Sequence, residues 1–196
     1  MSLPRLQVIV GSTRPGRAGG PVAEWFAGYA RDHGGFEVEV VDLAELDLPM
    51  YDEPNHPATG NYVNEHTRRW SALASRAQAY VMVTPEYNNG YPAVLKNAID
   101  YLNREWRYKP VGFVSYGGVS AGTRAVGQLR QVLTTVKMFP IPDAVHIPFV
   151  GQSIRDGRFE AGEAAVGGAK AMLDELLLIV DRLIPLQLPA AGGENR

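Results

Sequence analysis

Short apolar or alternating runs take turns along the chain with longer stretches in which apolar residues recur every three or four positions. Leu6 to Val10, Phe36 to Val41, Ala79 to Val83, Lys109 to Ser115 and Ala144 to Phe149 read as strands. The third, Ala79-Tyr80-Val81-Met82-Val83, has no polar break, as a strand buried on both faces requires. Val22, Trp25, Phe26 and Tyr29 mark a helix opened by Pro21 and closed by Gly34-Gly35. Val63, Trp70, Leu73 and Ala77 give the buried side of a second helix, Tyr62 to Arg76. Val94, Leu95, Ala98, Ile99 and Leu102 mark a third, and Val126, Leu129, Val132, Leu133 and Val136 a fourth that runs to about Lys137. A fifth spans Glu163 to Ile184, on Met172, Leu173, Leu176, Leu177, Val180 and Leu183, and Pro185 stops it.

Five strands alternating with five helices predict an α/β fold: a doubly wound parallel sheet with right-handed crossovers and helices on both faces. With a Gly-rich loop after strand one, the order 2-1-3-4-5 fits best, and it brings the loops after strands one, three and four to one edge. Residues 1–188 form one domain, and 189–196, ending Gly-Gly-Glu-Asn-Arg, are expected to be a flexible tail.

At 196 residues the chain can bury a full core without staples. The absence of cysteine fits a reducing compartment. The 19 basic and 21 acidic residues leave a net charge of -2 with no basic block, so charge supports neither nucleic-acid nor membrane binding. No apolar segment reaches the length of a membrane span, and Leu6 to Val10 is too short for a signal-peptide core. The expectation is a soluble cytoplasmic protein. His56 and His66 lack metal-ligand spacing and are expected in solvent, with no metal site.

Three loops carry the chemistry. After strand one, Gly11-Ser12-Thr13-Arg14-Pro15-Gly16-Arg17-Ala18-Gly19-Gly20 offers backbone amides, hydroxyls, a helix N-terminus and two cations to an anion. It is not a nucleoside-triphosphate loop, because Arg17-Ala18 stands where Lys and then a metal-binding Ser or Thr are needed. It contains no GxGxxG either, which leaves a monophosphate. After strand three, Pro85-Glu86-Tyr87-Asn88-Asn89-Gly90-Tyr91-Pro92 has the composition of tight turns and left-handed backbone. After strand four, Tyr116-Gly117-Gly118-Val119-Ser120-Ala121-Gly122 lets a flat ring lie against backbone.

Pro85-Glu86-Tyr87-Asn88, then Pro92 and Leu95-Lys96-Asn97-Ala98-Ile99-Asp100, resemble the PEYN…P…LKNAID signature of the NADPH-dependent FMN reductases, the flavodoxin-like quinone, azo and chromate reductases. Ser12 and Arg14 match that family's GSxR, whereas Ala18-Gly19-Gly20 lacks the Ser and Asn often found there, which shifts phosphate binding onto Arg17 or backbone. The resemblance covers nearly the whole chain. It implies FMN as cofactor and NADPH or NADH as electron donor. The acceptor is then a quinone, azo compound, metal oxyanion or free flavin, and the assembly a homodimer or homotetramer. It puts the phosphate on Ser12, Thr13, Arg14, Arg17 and Gly19. The isoalloxazine falls between Pro85, Glu86, Tyr87 and Asn88 on one side and Ser115, Gly117 and Gly118 on the other. Amides around Glu86 and Gly117 suit the ring's N1, O2 and N5 edge. Since the chemistry belongs to the cofactor, no side chain is assigned as catalytic, with Tyr87 and Tyr116 the candidate proton donors. The proline-rich loop Leu46 to Gly60 is placed on the rim near the cofactor.

Two other readings compete. One is a flavin-binding electron carrier without reductase activity, which the nearly balanced charge disfavours. The other is a serine hydrolase: Gly118-Val119-Ser120-Ala121-Gly122 matches GxSxG, with Asp143 and His146 downstream. Asp143 and His146 lie on one strand, however, where separate loops are needed to aim them at a serine. His146 is expected as a satisfied core or interface residue, and Lys96 and Asp100 as a surface or subunit pair.

Overall fold

The computed structural model describes residues 2–187. Its main sheet has five parallel strands, β1 (Arg5–Val10), β2 (Glu37–Asp42), β3 (Ala79–Pro85), β4 (Pro110–Tyr116) and β5 (Phe139–Ile147), in the order β2-β1-β3-β4-β5. The expected α/β doubly wound sheet, order 2-1-3-4-5, is the observed one. Among the described residues six α-helices surround it: α1 (Gly19–His33), α2 (Leu43–Leu46), α3 (Glu65–Ser75), α4 (Ala93–Asp100), α5 (Thr123–Thr135) and α6 (Glu163–Leu183).

Strand alternation divides the core in two. Val8, Val10, Val81 and Val83 face α1 and α6, packing on Val22, Phe26, Met172 and Leu173. Ile9, Tyr80 and Met82 face the other way, onto Trp70 of α3, Leu95 and Ile99 of α4 and Leu129 of α5. The central strands β3 and β4 are buried at every position, which explains their unbroken apolar sequence. The Trp70 and Trp106 indoles meet edge to face at 5.7 Å and donate to the carbonyls of Ala98 and Ile99, at 2.9 and 3.0 Å. They thereby fix α4, and with it the loop that α4 follows.

Several boundaries differ from expectation. α1 opens at Gly19, before Pro21. The second expected helix begins at Glu65, so Val63 is 46% exposed where a buried position was expected. β5 starts five residues early, at Phe139. Pro140 and Pro142 obscured it in the sequence, yet an edge strand tolerates proline where no ladder bond is needed, and the register shifts there between Val111 and Phe113. The polar loop from Val150 contains a small antiparallel pair, β6 (Ile154–Arg155) and β7 (Arg158–Phe159). His66 is not left to solvent: it pairs with Asp52 at 2.9 Å, and Asp52 accepts from Tyr101 at 3.0 Å. The expected tail, 189–196, lies outside the described residues. Among the described residues no helix is long and apolar enough to cross a membrane, and no group of three His, Asp or Glu could hold a metal.

Candidate functional site

The three loops singled out above meet at the carboxyl ends of β1, β3 and β4. Direct backbone bonds join them: Gly11 N–H donates to Val83 at 2.9 Å, and Glu86 N–H to Tyr116 at 3.2 Å. Between them lies a cavity of about 300 Å³ walled by Arg14 and Arg17, by Pro85, Glu86 and Tyr87, and by Tyr116, Gly117 and Val150.

The first loop ends in an uncapped helix. Ala18 precedes α1 with no side-chain cap, so the first-turn amides have no internal acceptor. Ser12 is buried, and its hydroxyl shares a 2.7 Å hydrogen bond with the Tyr87 hydroxyl, tying the first loop to the second. Arg14 stays exposed at the cavity mouth. Arg17 pairs with Asp42 at the end of β2, so its charge is already partly matched, which the sequence reading missed. Thr13 stands apart, lining a second cavity of about 280 Å³ with Leu43, Asp47 and Asn97.

In the second loop Asn88 and Asn89 have φ of 51° and 66°, and Tyr87 and Gly90 exchange hydrogen bonds of 2.8 and 3.0 Å. This is a two-residue hairpin turn in which both central residues need positive φ, which asparagine tolerates best after glycine. The Glu86 side chain does not point at the cavity centre. It accepts from Ser120 Oγ at 2.8 Å, from the Arg124 amide at 3.1 Å and from Arg124 Nη1 at 3.0 Å, latching the second loop to the start of α5. Burial works to raise its carboxyl, but the bonds from Ser120 and Arg124 outweigh it and hold the group below the usual carboxylate range.

The third loop is fixed from behind. Ser115 Oγ donates to the Ala121 carbonyl at 2.7 Å, so the 2.6 Å contact with His146 Nδ1 requires His146 to be the donor. Ser115 therefore braces the loop and does not face the cavity. His146 is not in the core: the residue is exposed, its ring nitrogen is satisfied by Ser115, and partial burial of the ring, with the nearby Arg130 charge, lowers its pKa. Gly122 closes the loop at φ 81°, where a Cβ would lie 2.7 Å from the Ser115 Cβ. The amides of Glu86, Tyr87 and Gly117 themselves are spent on Tyr116, Gly90 and Ile147. Those of Asn88, Gly118 and Val119 carry no backbone partner among the described residues.

Two buried polar atoms in the cavity wall lack a hydrogen-bond partner among the described residues, Tyr116 Oη and Arg17 Nε. Both are donors, and beside the open amides of α1 they fit a group rich in acceptors, such as a phosphate monoester. Ser120 is no nucleophile here: its hydroxyl donates to Glu86, while His146 is engaged with Ser115. Lys96 and Asp100 form the expected surface pair, at 2.5 Å.

A sheet of this order, with an anion-ready loop after its first strand and two turn-rich loops beside it, is the frame on which flavodoxin-like flavoproteins hold their cofactor. Comparison with known proteins narrows that class. Residues 4–152 match the family model described as NADPH-dependent FMN reductase, and the chain belongs to that family of flavin-dependent oxidoreductases. It is 43% identical over 141 residues to an NAD(P)H-dependent FMN reductase of Schizosaccharomyces pombe, covering 71% of this chain and 70% of that protein. To the NAD(P)H-dependent FMN reductase ntnL of a Nectria species it is 39% identical over 165 residues, 78% of this chain and 82% of that one. In fold it is similar to FerB, a flavoenzyme NAD(P)H:(acceptor) oxidoreductase from Paracoccus denitrificans, with a TM-score of 0.72 at 22% identity over 92% of this chain and 99% of that one.

Proposed function

We propose that this chain binds FMN in the three-loop cavity and passes reducing equivalents from NADPH or NADH to a small-molecule acceptor: a quinone, an azo compound, a metal oxyanion or free flavin. The observation that carries the reading is the pair of buried donors without a partner among the described residues, Tyr116 Oη and Arg17 Nε, in the wall of a cavity that residues of the second and third loops complete. When bound, FMN supplies the hydride chemistry. The chain's own part is to position and enclose. Arg14, Arg17, Gly19 and the first turn of α1 meet the phosphate. Pro85, Tyr87, Asn88, Gly117 and Gly118 bound the ring, with Asn88 and Gly118 offering free amides to its polar edge. Ser12, Glu86 and Ser115 brace those loops, while Thr13 lines the second cavity.

Tyr87 is the better candidate for handing a proton to an acceptor, being 39% exposed where Tyr116 is 5% exposed. Val119 and Phe149, 79% and 50% exposed, lie on the third loop and on the segment bonded to it through Phe149 N–H and the Gly118 carbonyl. In this reading a second copy covers them in a homodimer or homotetramer, and the cysteine-free composition suits the cytoplasm. The test is an absorbance spectrum of protein supplemented with FMN and desalted, then mixed with NADPH under nitrogen. A retained flavin band that bleaches supports the proposal. Bound flavin that NADPH leaves oxidised indicates a carrier, and the absence of flavin refutes the reading.

A further inference from the structure

We propose that the Tyr116 hydroxyl is the residue by which this chain selects a phosphorylated flavin, donating to the phosphate from beneath the first turn of α1. The inference rests on the FMN reading above. It starts from an unsatisfied atom. Tyr116 ends β4, is 5% exposed, and its Oη has no hydrogen-bond partner among the described residues. A buried hydroxyl without a partner is costly, so its persistence points to an acceptor that the chain does not supply.

The hydroxyl's position says which acceptor. A Cβ built on Gly19 would lie 2.6 Å from Tyr116 Oη, so the ring tip rests against the start of α1 and only glycine leaves room for it. α1 has 15 residues and no side-chain cap, and Pro21 has no amide to offer, so the open donors at this end are those of Ala18, Gly19 and Gly20. Arg17 closes the other side. Its Nη2 is held by Asp42, which orients the guanidinium, and Nε is buried without a partner among the described residues. The neighbouring Ser12 hydroxyl is engaged with Tyr87. Every unpaired group at this point is thus a donor. Burial, and next the neighbouring Tyr87, raise the Tyr116 pKa well above its ordinary value against the opposing influence of the Ser12 hydroxyl and the charge of Arg17, so the hydroxyl keeps its proton; Ser12 lies close by but makes its hydrogen bond to Tyr87 and none of good geometry to Tyr116.

Asp42 offsets the charge of Arg17, which leaves Arg14 and the neutral donors to hold an anion here. Removing one donor to a phosphate should therefore weaken binding about 10- to 100-fold. An unphosphorylated flavin has no dianion to lose, so its affinity should change less than about twofold.

The experiment titrates FMN and riboflavin into the full chain and Tyr116→Phe, following quenching of flavin fluorescence, with melting temperatures as a control for folding. Loss of FMN affinity with riboflavin affinity kept supports the proposal. Equal affinities of both proteins for FMN, or equal losses for the two flavins, overturn it while leaving the FMN reading intact. Failure of the unmodified chain to bind FMN overturns both.

Discussion

Replacing Glu86 by Gln removes one charge from the latch between the second and third loops while keeping its shape. The amide oxygen still accepts from Ser120 and from Arg124 Nη1, but its N–H₂ now faces the Arg124 amide, which donated to Oε2. Losing an acceptor at the N-terminus of α5 costs about 0.5–2 kcal/mol, by comparison with helix caps. The two remaining bonds weaken by about 0.5–1 kcal/mol each once the acceptor is neutral. The ion pair adds only about 0–1 kcal/mol, since the Arg124 side chain is 55% exposed and solvent screens it. These losses overlap, and about 2 kcal/mol is expected for the whole, or a melting temperature lower by roughly 4–8 °C for a chain of this length. The pH dependence tests the cause. The folded-state pKa of Glu86 is depressed, so its stabilisation is present above the ordinary 4.5 and is lost as pH falls through the lower folded value. Melting curves of both proteins at pH 7 and at pH 3 should show a gap that narrows in acid, and flavin affinity should fall several-fold with Glu86→Gln at pH 7. Coincident melting at pH 7, or a gap unchanged at pH 3, would refute the latch.

Other outcomes follow from the same contacts. Lys109 is 2% exposed, donates to the Ala74 and Ser75 carbonyls at the end of α3, and burial pushes its pKa down to about 7. The unfolded chain then binds more protons above pH 7, so guanidinium unfolding at pH 9 should show about 2–3 kcal/mol more stability than at pH 6 from this group, a difference that Lys109→Met removes. Gly122→Ala places a methyl 2.7 Å from the Ser115 Cβ at a φ of 81°, and should cost about 2–4 kcal/mol by thermal melting and weaken flavin binding. Ser120→Ala deletes only a donor to Glu86 and should cost about 1–2 kcal/mol, and the unmodified protein should take no fluorophosphonate label on Ser120.

The unbroken run at Ala79–Val83, the helical stripes and the glycines after β1 and β4 were enough to determine an α/β sheet of order 2-1-3-4-5, because strand burial and helix periodicity are local patterns that the core only has to satisfy. The same patterning, with PEYN and LKNAID, placed the three loops and the family. What the side chains of those loops do was decided by neighbours distant in sequence. Glu86 turned to Arg124, Arg17 to Asp42 and Ser115 to His146, since each polar group, once buried, takes the partner the fold brings within reach, whatever its place in a motif. Tyr116 stood out for the opposite reason. Packing against Gly19 left its hydroxyl without a partner, and no spacing of residues along the chain records an unmade hydrogen bond.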